Sequence, residues 1–152
     1  MKVLDKIISL LNENCVSYKL TEHEQVHTSA EAAAVRGLDL STGAKALVMF
    51  ADKKPIMIVV PGHKKVDLKK FKSIFGFKDI RMATGDEVLD LTGLLVGAIP
   101  PLGSIFGLPT YYDEWFKTAD KAAFNPGSHT HSIIMSAADL IKVENPIFGP
   151  IT

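Results

Sequence analysis

Apolar side chains recur at helical spacing at the start of the chain. Val3, Leu4, Ile7, Ile8 and Leu11 fall on one face of residues 2–14, with Lys2, Asp5, Lys6, Asn12 and Glu13 opposite, which predicts an amphipathic helix. VSYKLTEHE (16–24) reads as a short strand. Thr28 and Glu31 have capping-box spacing ahead of AEAAAVR, and Gly37 supplies the stop. KALVMF and PIMIVVPG flank the polar ADKKP and predict two buried strands joined by a turn. Asp67 opens a basic helix, LKKFKSIF, that ends at Gly76. KDIRMA is a strand candidate, and Thr84 with Glu87 starts the helix GDEVLDLT. GLLVGAI (93–99) is predicted as a further apolar strand, broken by PPLG. After a loop come PTYYDEWF, KAAF, the turn NPGS, HSIIMS and a closing helix, AADLIKV, capped by Ser136. The proline-rich tail ENPIFGPIT is expected to run extended.

Six or seven short strands interleaved with four or five helices indicate one mixed α/β (α+β) domain over residues 1–152. Hairpins at 46–60 and 121–135 argue against an all-parallel, doubly wound sheet. The length is ordinary for one domain with a real core.

Charge adds little globally, because 17 basic residues balance 17 acidic ones. Locally, PGHKKVDLKKFK (61–72) carries five lysines against one aspartate, which fits either a polyanionic partner or a solvated helix face. The single cysteine, Cys15, excludes an intramolecular disulfide and a cysteine-rich metal site, and its place at a helix end predicts a half-buried thiol. Asp5 and Lys6 interrupt the N-terminal apolar pattern, so a signal peptide is not expected. No apolar run approaches the ~18 residues of a membrane span, and a cytoplasmic protein without membrane association is expected.

Gly37, Gly43 and Lys45 invite comparison with the phosphate loop G-x-x-x-x-G-K-[ST]. That loop needs a strand before it and a helix after it, so that the helix N-terminus meets the phosphates. Here a helix leads in and a strand leads out, Ala44 separates Gly43 from Lys45, and Ala46 offers no hydroxyl for magnesium. There is no G-x-S-x-G elbow. Among the histidines (His23, His27, His63, His129, His131), His23 and His27 do have H-E-x-x-H spacing, but they read as marking a strand-to-helix turn and not one face of a helix, so no metal or other cofactor is expected.

Three stretches remain unusual. Lys45 opens an apolar strand, where a charge is costly unless it is paired or faces a pocket. GAIPPLG (97–103) combines two freely turning glycines with two rigid prolines, which can bring backbone groups close to a ligand. FNPGSHTHS (124–132) gathers an amide, hydroxyls and two imidazoles on one hairpin turn. Taken singly, these are a strand-end lysine, a rigid turn and a polar hairpin. Taken together, they are the parts for stabilising an oxyanion during ester cleavage.

In this order, the stretches resemble the YbaK/EbsC-like family of aminoacyl-tRNA deacylases, related to the editing insertion of bacterial prolyl-tRNA synthetases. The matching segments are EHEQVHTSAEAAA (22–34), GAKALVM (43–49), KKVDLKKFK (64–72), ATGDEV (83–88), GAIPPLG, YYDEWF (111–116) and FNPGSHTHSIIMSAADL (124–140). The resemblance spans residues 1 to 143 and implies a single synthetase-associated domain with a mixed, mostly antiparallel, partly barrel-like sheet and surrounding helices. It implies trans-editing hydrolysis of the ester joining a wrong amino acid to the terminal adenosine of a tRNA, a small residue on tRNA-Pro being the expected case. The partners it implies are the tRNA acceptor end and prolyl-tRNA synthetase, and not DNA.

Under that resemblance Lys45 matches the family's functional lysine, and Gly97 to Pro101 matches its G-x-x-x-P loop. Gly97, Ala98, Ile99, Pro100, Pro101 and Gly103, with Asn125, Ser128 and His131, would bind substrate, and Lys64, Lys65, Lys69 and Lys70 would bind tRNA. His129 is the first candidate for the histidine of the alanine-directed members and His131 the second. Cysteine-directed members usually carry serine before the loop proline, where this chain has Pro100. Water, or the adenosine hydroxyl acting as a base, would carry out the attack. A non-catalytic tRNA- or synthetase-binding module of the same fold, and hydrolysis of a different small ester, are the alternatives.

Overall fold

The computed structural model describes residues 2–152. In chain order the elements are α1 (Val3–Glu13), β1 (Tyr18–Glu22), α2 (Ser29–Arg36), β2 (Ala44–Ala51), β3 (Lys54–Pro61), α3 (Leu68–Phe75), β4 (Ile80–Met82) and α4 (Gly85–Thr92). They continue with β5 (Thr110–Asp113), β6 (Lys121–Phe124), β7 (His131–Ser136), α5 (Ala137–Glu144) and β8 (Ile147–Gly149).

The helix boundaries follow the capping residues. The Thr28 and Thr84 side chains accept from the backbone N–H of Glu31 and Glu87, and each glutamate reaches back to its cap, completing two capping boxes. Asp67 and Ser136 cap α3 and α5 in the same sense. Gly37 and Gly76 end their helices with φ of 68° and 74°, where a side chain would be strained.

Two open sheets form. One is antiparallel, in the order β1-β7-β6. The other runs β4-β2-β3-β5-β8, antiparallel around β2 and parallel from β3 through β5 to β8. They meet at an isolated parallel bridge between Gly43 and Ala123 without closing into a barrel. The tail expected only to be extended supplies β8, whose register sets Phe148 beside Tyr112.

Strand β3 explains the layering. Met57 and Val59 point into a core shared with Ile7 and Leu11 of α1, Phe124 of β6 and Ile133 of β7. Ile56, Ile58 and Val60 point the other way, into a core with Phe71 of α3 and Tyr111 of β5. Both faces of the larger sheet are covered, which is why β3 reads as an unbroken apolar run and not an alternating one.

Two expectations fail. Residues 93–99 form no strand: Gly93 ends α4 at φ 73°, Ala98 N–H turns back to the Leu95 carbonyl, and Gly97 has φ 89°. Two prolines without N–H groups follow, so this apolar run cannot extend a ladder. Ala98 and Ile99 are buried, while Leu95 and Val96 face outward. Cys15 is exposed, because the chain leaves α1 there in a left-handed turn at φ 55° that carries it off the buried face.

Candidate active site

A cleft of about 130 Å³ opens where the two sheets approach each other. Its walls are His27, Thr28, Ser29, Ala32 and Arg36 around α2, Gly43 to Ala46 at the start of β2, Gly97 and Ile99, and Ala123 to Asn125 at the end of β6. The bridge between Gly43 and Ala123 fixes its floor.

Lys45 is the second residue of β2, opposite Val60. By strand alternation it shares a face with Leu47 and Met49, the side covered by α3, while Ala44 and Ala46 face the opposite core. It therefore sits at the boundary between the cleft and the basic segment 64–72. Among the described residues it meets no carboxylate, the only salt bridge being Arg81 with Glu87. Burial first, and the charge of Lys65 second, lower its pKa from the ordinary lysine value. A partly desolvated ammonium without a counter-ion is poised for an anion from outside the chain.

The loop at 96–99 is held by the β6–β7 hairpin turn through three successive carbonyls. His129 Nε2 lies 3.2 Å from the Val96 oxygen, Asn125 Nδ2 donates to the Gly97 oxygen at 2.9 Å, and Gly127 N–H donates to the Ala98 oxygen at 2.8 Å. A carbonyl only accepts, so Nε2 of His129 carries a proton. With these carbonyls committed, the N–H groups of Gly97 and Ile99 donate to no acceptor among the described residues. Both residues line the cleft.

The other expected site residues lie at various distances from this centre. Asn125 is in the wall. His129 stands behind the Gly97 loop, with its ring 5.4 Å from that of His27. Pro100 and Pro101 are buried outside the cleft wall, and the Tyr112 hydroxyl donates to the Pro101 carbonyl. Gly103 is outside the cleft wall: it starts a tight turn against Thr110, where a side chain has no room. Ser128 and His131 serve the hairpin turn itself, the Ser128 hydroxyl accepting from Thr130 N–H and meeting His131 Nδ1 at 3.1 Å. Lys64, Lys65, Lys69 and Lys70 are exposed, and Lys70 Nζ donates to the Thr152 carbonyl at 3.0 Å.

A second layer supports the loop. Glu144 is buried and receives Ser104 N–H and, at 2.6 Å, the Ser104 hydroxyl. Burial pushes its carboxyl up, against the opposing pull of the Ser104 bonds.

His27, Thr28, Ser29 and Arg36 line the wall without any local sequence signal for that role. Their roles in a capped helix gave a sufficient local account of each, and the cleft arises only when β2 and β6 are brought alongside. His23 and His27 do mark the strand-to-helix turn, but His23 also reaches the buried Ser132 hydroxyl at 2.8 Å.

Comparison with known proteins gives a consistent picture. Residues 23–143 match the family model of the aminoacyl-tRNA editing domain. The multifunctional Ser/Thr-tRNA deacylase ProXp-y of Escherichia coli K12 is 30% identical over 146 residues, 93% of this chain and 87% of the relative. A proline–tRNA ligase of Staphylococcus aureus is 33% identical over 86 residues, 57% of this chain but 15% of that enzyme. A crystal structure of a candidate trans-editing enzyme for prolyl-tRNA synthetase superposes with a TM-score of 0.87 at 24% identity, covering 100% of this chain and 98% of the other, a likeness of fold.

Proposed function

This chain belongs to the aminoacyl-tRNA editing domain family, and we propose that it is a trans-acting deacylase that hydrolyses the ester of a mischarged tRNA. The observation that carries this is the pair of cleft-lining residues, Gly97 and Ile99, whose N–H groups are left without protein acceptors while the carbonyls of 96–98 are tied down. A fixed backbone with unspent donors is pre-organised for the negative charge that develops on an ester carbonyl under attack.

The chemistry assigned to each group follows from its type. Lys45 supplies a cation, at the edge of the cleft, for a phosphate of the terminal nucleotide or for the ester carbonyl oxygen. Gly97 and Ile99 N–H groups meet the oxyanion. The cleft wall holds no cysteine or carboxylate, the Thr28 hydroxyl is occupied as a helix cap, and the Ser29 hydroxyl has no hydrogen-bonded base among the described residues to activate it. Attack is therefore assigned to water, or to water activated by the ribose hydroxyl beside the ester, and the protein contributes position and charge stabilisation. The narrow, partly apolar wall of Ala32, Ala44, Ala46 and Ile99 fits a small amino-acid side chain. A pocket separates substrates differing by one methylene by only about 1–3 kcal/mol, which is the reason a separate hydrolytic check is useful.

The relatives support the substrate class and not the particular residue removed. Small amino acids esterified to tRNA-Pro are the expected substrates, with prolyl-tRNA synthetase as the enzyme whose errors are corrected and the cytoplasm as the place of action. The exposed lysines 64, 65 and 69 would meet the acceptor stem through its phosphates, without reading its sequence.

The deciding experiment is a deacylation assay on tRNA-Pro charged with alanine, cysteine, serine or threonine. Release of at least one amino acid by the wild type, lost in Lys45→Ala, is expected. No release from any of the four would overturn the enzymatic reading and leave the binding-module alternative.

A further inference from the structure

Arg36 is the last residue of α2, and its guanidinium turns inward toward two other elements. Nε donates to the Ser132 hydroxyl of β7 at 2.8 Å, and a terminal nitrogen donates to Asn125 Oδ1 at 3.0 Å. Ser132 is fully buried and also meets His23 Nε2 at 2.8 Å, while His23 Nδ1 lies 2.7 Å from the Glu24 carbonyl. In the neutral imidazole, Nδ1 must carry the proton to reach that carbonyl, so Nε2 accepts from the Ser132 hydroxyl, leaving the serine oxygen to accept from Arg36. An unbroken run of donors and acceptors therefore extends from the turn after β1 to the cleft.

Its last link lies in the cleft wall. A side-chain amide can present either its oxygen or its nitrogen to a neighbour. Because Arg36 can only donate, it takes the Asn125 oxygen and leaves Nδ2 facing the Gly97 carbonyl, 2.9 Å away. Arg36 and Gly97 line the same cleft, yet their only link in this run is through Asn125. Desolvation lowers the arginine pKa to about 10, which still leaves it a cation at neutral pH, and no carboxylate among the described residues neutralises it.

We propose that Arg36 is a positioning residue that fixes the Asn125 amide and, through it, the Gly97 carbonyl, and so sets the aperture and the amino-acid selectivity of the cleft. The selectivity part rests on the deacylase reading; the positioning part does not. Lysine at this position keeps the charge, but one ammonium cannot span both Ser132 and Asn125 in the geometry of the guanidinium fork. Aspartate at 125 keeps an acceptor for Arg36 and loses the donor to Gly97.

The test measures kcat/KM for alanyl- and threonyl-tRNA with wild type, Arg36→Lys, Asn125→Asp and the double variant. It is paired with nitrogen-15 NMR of the Asn125 side-chain amide in the wild type and Arg36→Lys. The ratio of the two kcat/KM values should change by roughly tenfold in each single variant, the scale at which one methylene is discriminated. The double variant should change it no further than Asn125→Asp alone, since both act through one contact. The Asn125 amide protons should exchange slowly in the wild type and quickly in Arg36→Lys. A wild-type ratio in Arg36→Lys overturns the proposal, whether or not amide protection is lost. Should Arg36→Lys fail to fold, an unchanged ratio in Asn125→Asp does the same. If the wild type hydrolyses neither ester, the deacylase reading and the selectivity claim fall, and the amide exchange alone decides whether Arg36 positions the loop.

Discussion

His129 Nε2 stands 3.2 Å from the point where a β-carbon on Gly97 would lie, and Gly97 holds φ at 89°. The histidine and the glycine therefore fit each other: the ring packs against bare backbone and donates to the neighbouring Val96 carbonyl. Gly97→Ala adds a left-handed strain of about 1–2 kcal/mol to a contact that must give by a few tenths of an ångström. The expected outcome is a loss of stability of about that size in urea unfolding, with deacylation falling for every ester. Truncating the ring in Gly97→Ala/His129→Ala should recover part of the stability but leave the backbone strain. Full recovery would place the whole cost in the ring contact.

Lys45 gives a prediction with a defined pH sense. Burial, and then Lys65, lower its pKa from 10.5, so the folded chain holds this proton less firmly than the unfolded chain does. Charged Lys45 therefore costs stability below its folded pKa, and the cost fades as pH rises through that value toward 10.5. Lys45→Met should leave the thermal midpoint at neutral pH equal to or above that of the wild type, while deacylation falls ~10²-fold or more, the usual effect of removing one group that stabilises an oxyanion. Lys65→Ala removes a like charge, and carbon-13 NMR of the Lys45 Cε should then report a higher pKa. A Lys45→Met variant that is active but less stable would show the lysine to be structural.

Tyr112 is fully buried, and its hydroxyl meets the Pro101 carbonyl at the far end of the cleft loop. Phenylalanine keeps the packing against Phe116 and Phe148 and removes only the donor. The stranded carbonyl should cost ~1–3 kcal/mol of stability, measured by denaturant unfolding. Because the effect enters at the loop's base, alanyl and threonyl esters should lose activity by the same factor, unlike the selective change expected at Arg36. A selective loss would show instead that Tyr112 shapes the amino-acid pocket directly.

What was legible in the sequence was chiefly what short-range chemistry decides. The caps at Thr28, Asp67, Thr84 and Ser136, and the hairpins on either side of ADKKP and NPGS, each follow from residues within a few positions of one another. Residues 93–99 misled because an apolar run states only that side chains want burial, and here Ala98 and Ile99 are buried by a loop pinned to the hairpin turn. By local pattern alone Arg36 is an ordinary basic residue at a helix end. Its partners Asn125 and Ser132 lie 89 and 96 positions away, a relationship no local pattern carries. Sequence links Lys45 to the 97–103 loop only by complementary chemistry and by resemblance, and the bridge between Gly43 and Ala123 supplies the physical reason Lys45 and Gly97 share a cleft.

The exposed lysines beside the cleft lead to the last prediction. Lys64 and Lys69 are exposed, whereas Lys70 is engaged with the Thr152 carbonyl and Lys65 influences Lys45. If Lys64 and Lys69 meet phosphates of the acceptor stem, each contact releases counterions and steepens the fall of affinity with salt. Removing both by alanine substitution should weaken tRNA binding at low salt and flatten the slope of log K against log salt by about 1–2. The Lys53 and Lys54 pair, at the opposite end of the β2–β3 hairpin from Lys45, provides the comparison, and its removal should leave the slope near that of the wild type. Equal flattening from both pairs would mean that tRNA is held by diffuse charge and not by a surface continuous with the cleft.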